Sequence, residues 1–243
     1  MKFRNIALTL VAASAMLSAK NSDAHDRIVK SATLFREIMA APDKGMPHWV
    51  LHRAHCAVIV PGMKSGGFIV GAKYGKGIMT CRRANGGWSA PSAVRVEGGS
   101  VGFQIGLNET DAIFMVMNED GKNKLMKSEF TIGGSAAAVA GPVGRSAKAE
   151  TDALMHAKIL SYSRSRGVFA GVALEGGTLR ADDGANKEIY GRPIERQEII
   201  NGKVAVPAQA KKSNCIAEPV LLPGEVSDCS SEFSGGRNRR SRC

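Results

Sequence analysis

Glycine is the feature that most restricts what this chain can fold into. Twelve of its 28 glycines fall between residues 62 and 106, set among valines, isoleucines and aromatics. Glycine serves where a backbone turns sharply, bulges or approaches another backbone closely, so the concentration reads as a sheet with many tight turns or bulges. It has no three-residue period, which excludes a collagen helix. A hydrophobic fraction of 44% excludes global disorder, and 243 residues suit one domain with terminal appendages.

The rest of the chain fits around that sheet. Residues 26–40 place Ile28, Ala32, Phe35 and Ile38 or Met39 on one face, the mark of an amphipathic helix. That helix suits either a membrane interface or packing onto the sheet. Pro42 and Gly45 end it, and Pro47 opens a short second helix over His48–Ala54. From Ala57 the chain reads as short strands: AVIV, GFIVGAKYG, GIMTCRR, APSAVRVE, SVGFQIG and DAIFMVM. Each is bounded by Gly, Asn or Pro, as in an antiparallel meander. A short helix over 119–128, an Ala-rich helix near 147–160, a strand over 168–175 and a turn into a short helix over 182–190 follow. The order predicts an α+β fold: a mostly antiparallel, Gly-rich sheet or barrel with flanking helices. Alternating βα units are absent, which argues against a Rossmann-type fold.

The net charge of +11 is concentrated at the ends. Residues 1–24 carry a net +2, and Arg237, Arg239, Arg240 and Arg242 add four more, leaving a mildly basic body of +5. Such a body suits an anionic surface rather than a nucleic-acid groove, so nucleic acid is not an expected partner. Lys2 and Arg4 followed by an apolar stretch from Ile6 to Ala19 have the form of a secretory signal peptide over residues 1–24, with cleavage after Ala19 or Ala24. Lys20 stands where a lipoprotein would carry its acylated cysteine, so the expected product is exported without a lipid anchor. Beyond about residue 201 the pattern decays into a flexible basic tail, 201–243. Cys56 and Cys81 flank predicted strands and form either two buried thiols or one bridge; an odd count of five leaves at least one cysteine unpaired.

Several local motifs dissolve on inspection. Gly71–Gly77 is one residue short of a phosphate-binding loop and has Gly77 where Ser or Thr would hold magnesium, so strand–turn–strand is the better reading. Gly98-Gly99-Ser100-Val101-Gly102 matches a nucleophile elbow in letters, but more glycines follow instead of a helix, and a hairpin turn accounts for it. No enzyme activity and no cofactor are expected. His48, His52 and His55 stack at helical spacing beside Cys56, a metal-ligand set on paper. Solvent-exposed or capping histidines are the plainer account.

Two basic constellations suit a phosphate-bearing headgroup. Residues 161–167, if extended, set Tyr162, Arg164 and Arg166 on one face and three serines on the other, and guanidinium forks with hydroxyls grip phosphate oxygens. Gly141-Pro142-Val143-Gly144-Arg145 can present backbone N–H groups together with Arg145. The competing reading pairs these arginines with carboxylates such as Glu150 or Glu175.

GFIVGAKYGKG (67–77), GGWSAP (86–91), GGSVGFQIG (98–106), TDAIFMVMN (110–118), AVAGPVGR (138–145) and ILSYSRSRGVFAG (159–171) together resemble the SYLF domain. The D-x-x-A-N-x-x-x-Y-G run near 182–191 resembles that family's closing motif, and the likeness extends over about residues 28–200. The resemblance implies a non-catalytic lipid-binding domain over 25–200. Its eukaryotic members recognise phosphoinositides, and some are credited with actin binding. It also implies a lipid-binding role for the N-terminal helix, here with Arg27 and Lys30. The expectation is an exported protein, periplasmic or secreted, bound peripherally to an anionic phospholipid surface through Arg27, Lys30, Arg145, Tyr162, Arg164 and Arg166. An apolar helical face would contact acyl chains. An envelope protein-scaffold module and a His/Cys metal-binding protein are the alternatives.

Overall fold

The computed structural model describes residues 23–201, 204 and 205, except 42, 85, 128, 133–137, 145–156, 166 and 172–175. For 68–70 and 100–106 it describes the backbone alone. The signal segment through residue 22, the tail from 206, the body of the Ala-rich helix, Arg145 and Arg166 lie outside the described residues.

Helix α1 covers 23–40 and α2 covers His48–Arg53. Two long strands follow, β1 (Cys56–Cys81) and β2 (Ser92–Val116), then α3 (Glu119–Leu125). Short strands complete the sheet: β3 (Glu129–Thr131), β4 (Ala138–Ala140), β5 (Ile159–Ser165), β6 (Val168–Gly171) and β7 (Thr178–Ala181). Helices α4 (Asp183–Tyr190) and α5 (Arg196–Ile200) close the described chain. The fold is α+β. Strand order is β3-β7-β2-β5-β4, with β1 along β2 and β6 along β5. Among the described strands, the β4–β5 pairing alone is parallel.

The six-strand meander is not what the glycines build. β1 runs 26 residues and β2 runs 25, and they pair along nearly their whole lengths. Gly71–Gly77 is continuous strand, and so is the backbone of 98–102, where a hairpin turn was expected. The glycines let one strand curl without breaking. Extended, 26 residues would span about 86 Å. Yet the Cα atoms of Cys56 and Cys81 are 3.9 Å apart, joined by a disulfide, and the Arg82 N–H donates to the His55 carbonyl at 2.7 Å. The curl brings the far half of β1 against its near half. A Cβ on Gly77 would overlap the Ile59 carbonyl oxygen, and one on Gly75 would stand 2.6 Å from Val60 Cγ1. A bulge sits at Pro61–Gly62, where β1 carries one extra residue. Gly62 has φ 59°, and its N–H donates to Asp111 Oδ1 at 2.8 Å. Proline inside a strand is tolerated at such a bulge.

Side-chain alternation divides the apolar residues between two cores. Val58, Val60, Ala112, Phe114, Val116 and Ile159 fill the inside of the curl with Phe130 and Leu179. Ala57, Ile59, Ile113, Met115, Leu160 and Tyr162 point the other way and pack against Leu34, Phe35 and Ile38 of α1 and Val50 and Leu51 of α2. Ile28, Ala32, Phe35 and Ile38 are all buried. The apolar face of α1 is therefore spent on the sheet, which corrects the expectation that it contacts acyl chains.

The closing motif is structural. Asp182 caps α4 by accepting from the Ala185 N–H, and the Asn186 carboxamide bonds both the N–H and the carbonyl of Ala93. The Tyr190 hydroxyl donates to the Pro91 carbonyl at 2.7 Å, and Gly191 ends the helix at φ 70°. These bonds tie α4 to the start of β2.

Candidate functional site

Where α1 crosses the curl, a groove of about 610 Å³ remains open between the helix and β1–β2. Val29, Lys30 and Thr33 line it from the helix, Lys64, Tyr74 and Lys76 from β1, Glu109 and Asp111 from β2, and Arg164 from β5. Val29 and Tyr74 are 40% and 45% exposed, large for apolar bodies on a folded surface.

The charges in the groove fall into two groups. Three cations are already satisfied or committed. Lys76 Nζ meets Asp23 Oδ2 at 3.0 Å, and this bond holds the Asp23 carboxyl below its usual range against the opposing effect of burial. Arg164 donates from Nε to Asp111 at 2.6 Å, pairs with Glu37 on α1 and lies 5.4 Å from the centre of the Phe169 ring. Burial opposes its charge, but Asp111 and Glu37 outweigh that and hold the guanidinium more firmly protonated than usual. Arg27 is buried on the neighbouring turn of α1 and donates to Asp182 at 2.8 Å. The second group is available. Lys30, Lys64 and Glu109 are exposed and form no ion pair among the described residues.

The predicted site residues thus part company. Lys30 lines the groove from α1. Arg164 reaches it with two carboxylate partners, Asp111 and Glu37, while Glu150 and Glu175, considered from sequence, lie outside the described residues. Arg27 is only 5% exposed and works as a strut between α1 and the cap of α4, which takes its guanidinium away from a headgroup. Tyr162 is fully buried, its ring so close to Gly141 that any Cβ there would overlap it, and burial pushes its phenol pKa upward. The extended reading of 161–165 holds, with Tyr162 and Arg164 both turned toward α1, so that face is covered.

The metal-ligand set does not assemble among the described residues. Cys56 is bonded to Cys81, and His55 Nδ1 lies 2.9 Å from Glu119 Oε2. Arg82 instead organises that end of the fold, donating to the carbonyls of Leu51 and Ala54 at the end of α2 and lying 4.9 Å from the Trp88 ring centre. Lys64 and Glu109 carried no motif signal, and Tyr74 appeared only inside the 67–77 block. The register of β1 on β2 and the curl of β1 bring them to one groove.

A helix roofs a curled, glycine-rich ribbon and leaves a mixed-charge groove open beneath it. Residues 97–214 match the family model described as Ysc84, Las17-binding protein actin regulator. The chain belongs to this Ysc84, or SYLF, family. It is 34% identical over 189 residues to Protein YSC84 of Saccharomyces cerevisiae, covering 76% of this chain and 40% of that protein. It is 33% identical over 188 residues to SH3 domain-containing YSC84-like protein 1 of Rattus norvegicus, covering 75% and 55%. LAS seventeen-binding protein 3 of Saccharomyces cerevisiae is 35% identical over 170 residues, covering 68% and 36%. The chain spans about half the length of these curated relatives or less.

Proposed function

We propose that the protein binds anionic phospholipid, without catalysis, at a membrane surface of the cell envelope, using the groove between α1 and the β1–β2 ribbon. The observation that carries this reading is the pairing, on one open rim, of two uncommitted lysines, Lys30 and Lys64, with two exposed apolar side chains, Val29 and Tyr74. Ammonium groups attract a phosphate, while Val29 and the Tyr74 ring suit the boundary between headgroups and acyl chains. Each lysine near an anionic surface contributes about 1 kcal/mol of salt-sensitive attraction. Binding is peripheral in this reading. Among the described residues no helix is long and apolar enough to cross a membrane. The Cys56–Cys81 bridge supports the export half of the reading, because such bonds persist in oxidising compartments.

Cosedimentation with phosphatidylglycerol vesicles tests it. Binding at low salt that weakens as salt rises, and that falls about tenfold or more in Lys30→Gln/Lys64→Gln, is the expected outcome. Unchanged binding in the double variant would remove the groove from the site. Retention of envelope proteins without any vesicle binding would favour a scaffold module instead.

A further inference from the structure

The groove holds an uncommitted carboxylate as well as uncommitted lysines, and a site for phosphate alone has no use for one. Glu109 lines the groove on β2 and is directly opposite Lys64 of β1 in the strand register. Its carboxylate lies over Gly62, with Oε1 2.8 Å from where a Cβ on that glycine would stand. The other carboxylates of the groove are occupied: Asp23 by Lys76, and Asp111 by Arg164 and the Gly62 N–H. Glu109 forms no ion pair among the described residues, although Lys64 faces it across the ribbon. Directly opposed side chains on an antiparallel pair have Cβ atoms about 4.5–5.5 Å apart. That spacing is comparable to the separation of phosphate and ammonium in a phosphoethanolamine group.

We infer that the groove selects an aminophospholipid, with Lys30 and Lys64 holding the headgroup phosphate and Glu109 accepting from its primary ammonium. This rests on the lipid-binding reading above: the anionic surface supplies the net attraction, and the groove picks out from it a headgroup with a primary ammonium beside its phosphate. A carboxylate beside two lysines weakens attraction for a simple polyanion. It adds a charge-assisted hydrogen bond for a headgroup that carries N–H donors next to its phosphate. The same pattern disfavours a choline headgroup, whose quaternary nitrogen has no proton to donate.

Vesicles of phosphatidylglycerol mixed with phosphatidylethanolamine, against phosphatidylglycerol mixed with phosphatidylcholine at the same mole fraction, keep the anionic charge equal. The full chain is expected to bind the ethanolamine mixture about tenfold more tightly, and Glu109→Gln to abolish that preference. Glu109→Gln is expected to bind phosphatidylglycerol alone more tightly, because it removes the carboxylate that weakens attraction for a simple polyanion. Glu109 is exposed, so its glutamine variant should fold; a melting curve matching wild type confirms this. A preference that survives Glu109→Gln arises from the bilayer and overturns the inference, while leaving the lipid-binding reading intact. Equal binding to the two mixtures does the same. Absence of binding to every vesicle overturns both. Free phosphoethanolamine, titrated by calorimetry, separates the two sources of this chemistry: heat that disappears in Glu109→Gln, without vesicle binding, would overturn the lipid source.

Discussion

Cutting the Cys56–Cys81 bond isolates the contribution of closing β1 into a loop. The two cysteines are fully buried and separated by 25 residues, with the whole of β1 between them. Folding already zips the ends together through the Arg82–His55 backbone bond and the pairing of β1 with β2, so the covalent link acts mainly on the unfolded chain. For a loop of 25 residues the chain-entropy relation gives about 3.5 kcal/mol at 25 °C. In a chain of this size each kcal/mol moves Tm by about 2–4 °C, so the expected loss is about 7–14 °C. The assay compares thermal melts of the oxidised protein with the same protein unfolded, reduced and refolded under reductant, which leaves every buried sulfur atom in place. Because the chain has five cysteines, titration of denatured, unreduced protein should find no more than three thiols. Five titrating thiols, or melts within about 2 °C of each other, would refute the reasoning.

Other perturbations separate struts from spacers. Arg27→Met should lower stability by about 2–3 kcal/mol in urea titration, because it strands Asp182, and Arg27→Met/Asp182→Asn should recover part of that loss. No recovery would show that the pair is not coupled. Gly77→Ala should cost more than about 3 kcal/mol or prevent folding, since its Cβ overlaps the Ile59 carbonyl oxygen. Gly184→Ala, inside α4 with only Asp182 Oδ1 near its Cβ and that at an ordinary contact of 3.8 Å, should instead gain about 0.5 kcal/mol; comparable effects at the two glycines would contradict the curl. The lowered Asp23 pKa makes a pH statement: its link to Lys76 is intact above the ordinary carboxylate value of 3.8 and is lost as pH falls through the lower folded value. An NMR titration placing the Asp23 midpoint at or above 3.8 would contradict it.

Much of the fold was legible because its signals are local. Helix α1 follows from apolar spacing over 26–40, α2 from Pro47, and α4 from the turn that opens 182–190. Those features depend on residues within a turn or two of each other. The candidate site was less legible for the opposite reason. Arg27 and Arg164 have the chemistry of phosphate ligands, but Asp182, Asp111 and Glu37 neutralise them, and the nearest of these is 53 positions from its arginine in sequence.

The amino-acid sequence by itself determined an α+β domain of the SYLF type with a glycine-rich sheet, because composition, periodicity and motif spacing are properties of neighbours along the chain. Whether a glycine marks a turn or a bend within one strand is not. Gly71, Gly75 and Gly77 look like punctuation between short strands, and only the pairing of β1 with β2 and the return of Cys81 to Cys56 make them a single curl. The tertiary structure decided which charges are free. An ion pair forms or fails according to what the curl and the helix bring within about 4 Å, and that juxtaposition left Lys30, Lys64 and Glu109 uncommitted while burying Arg27 and Tyr162.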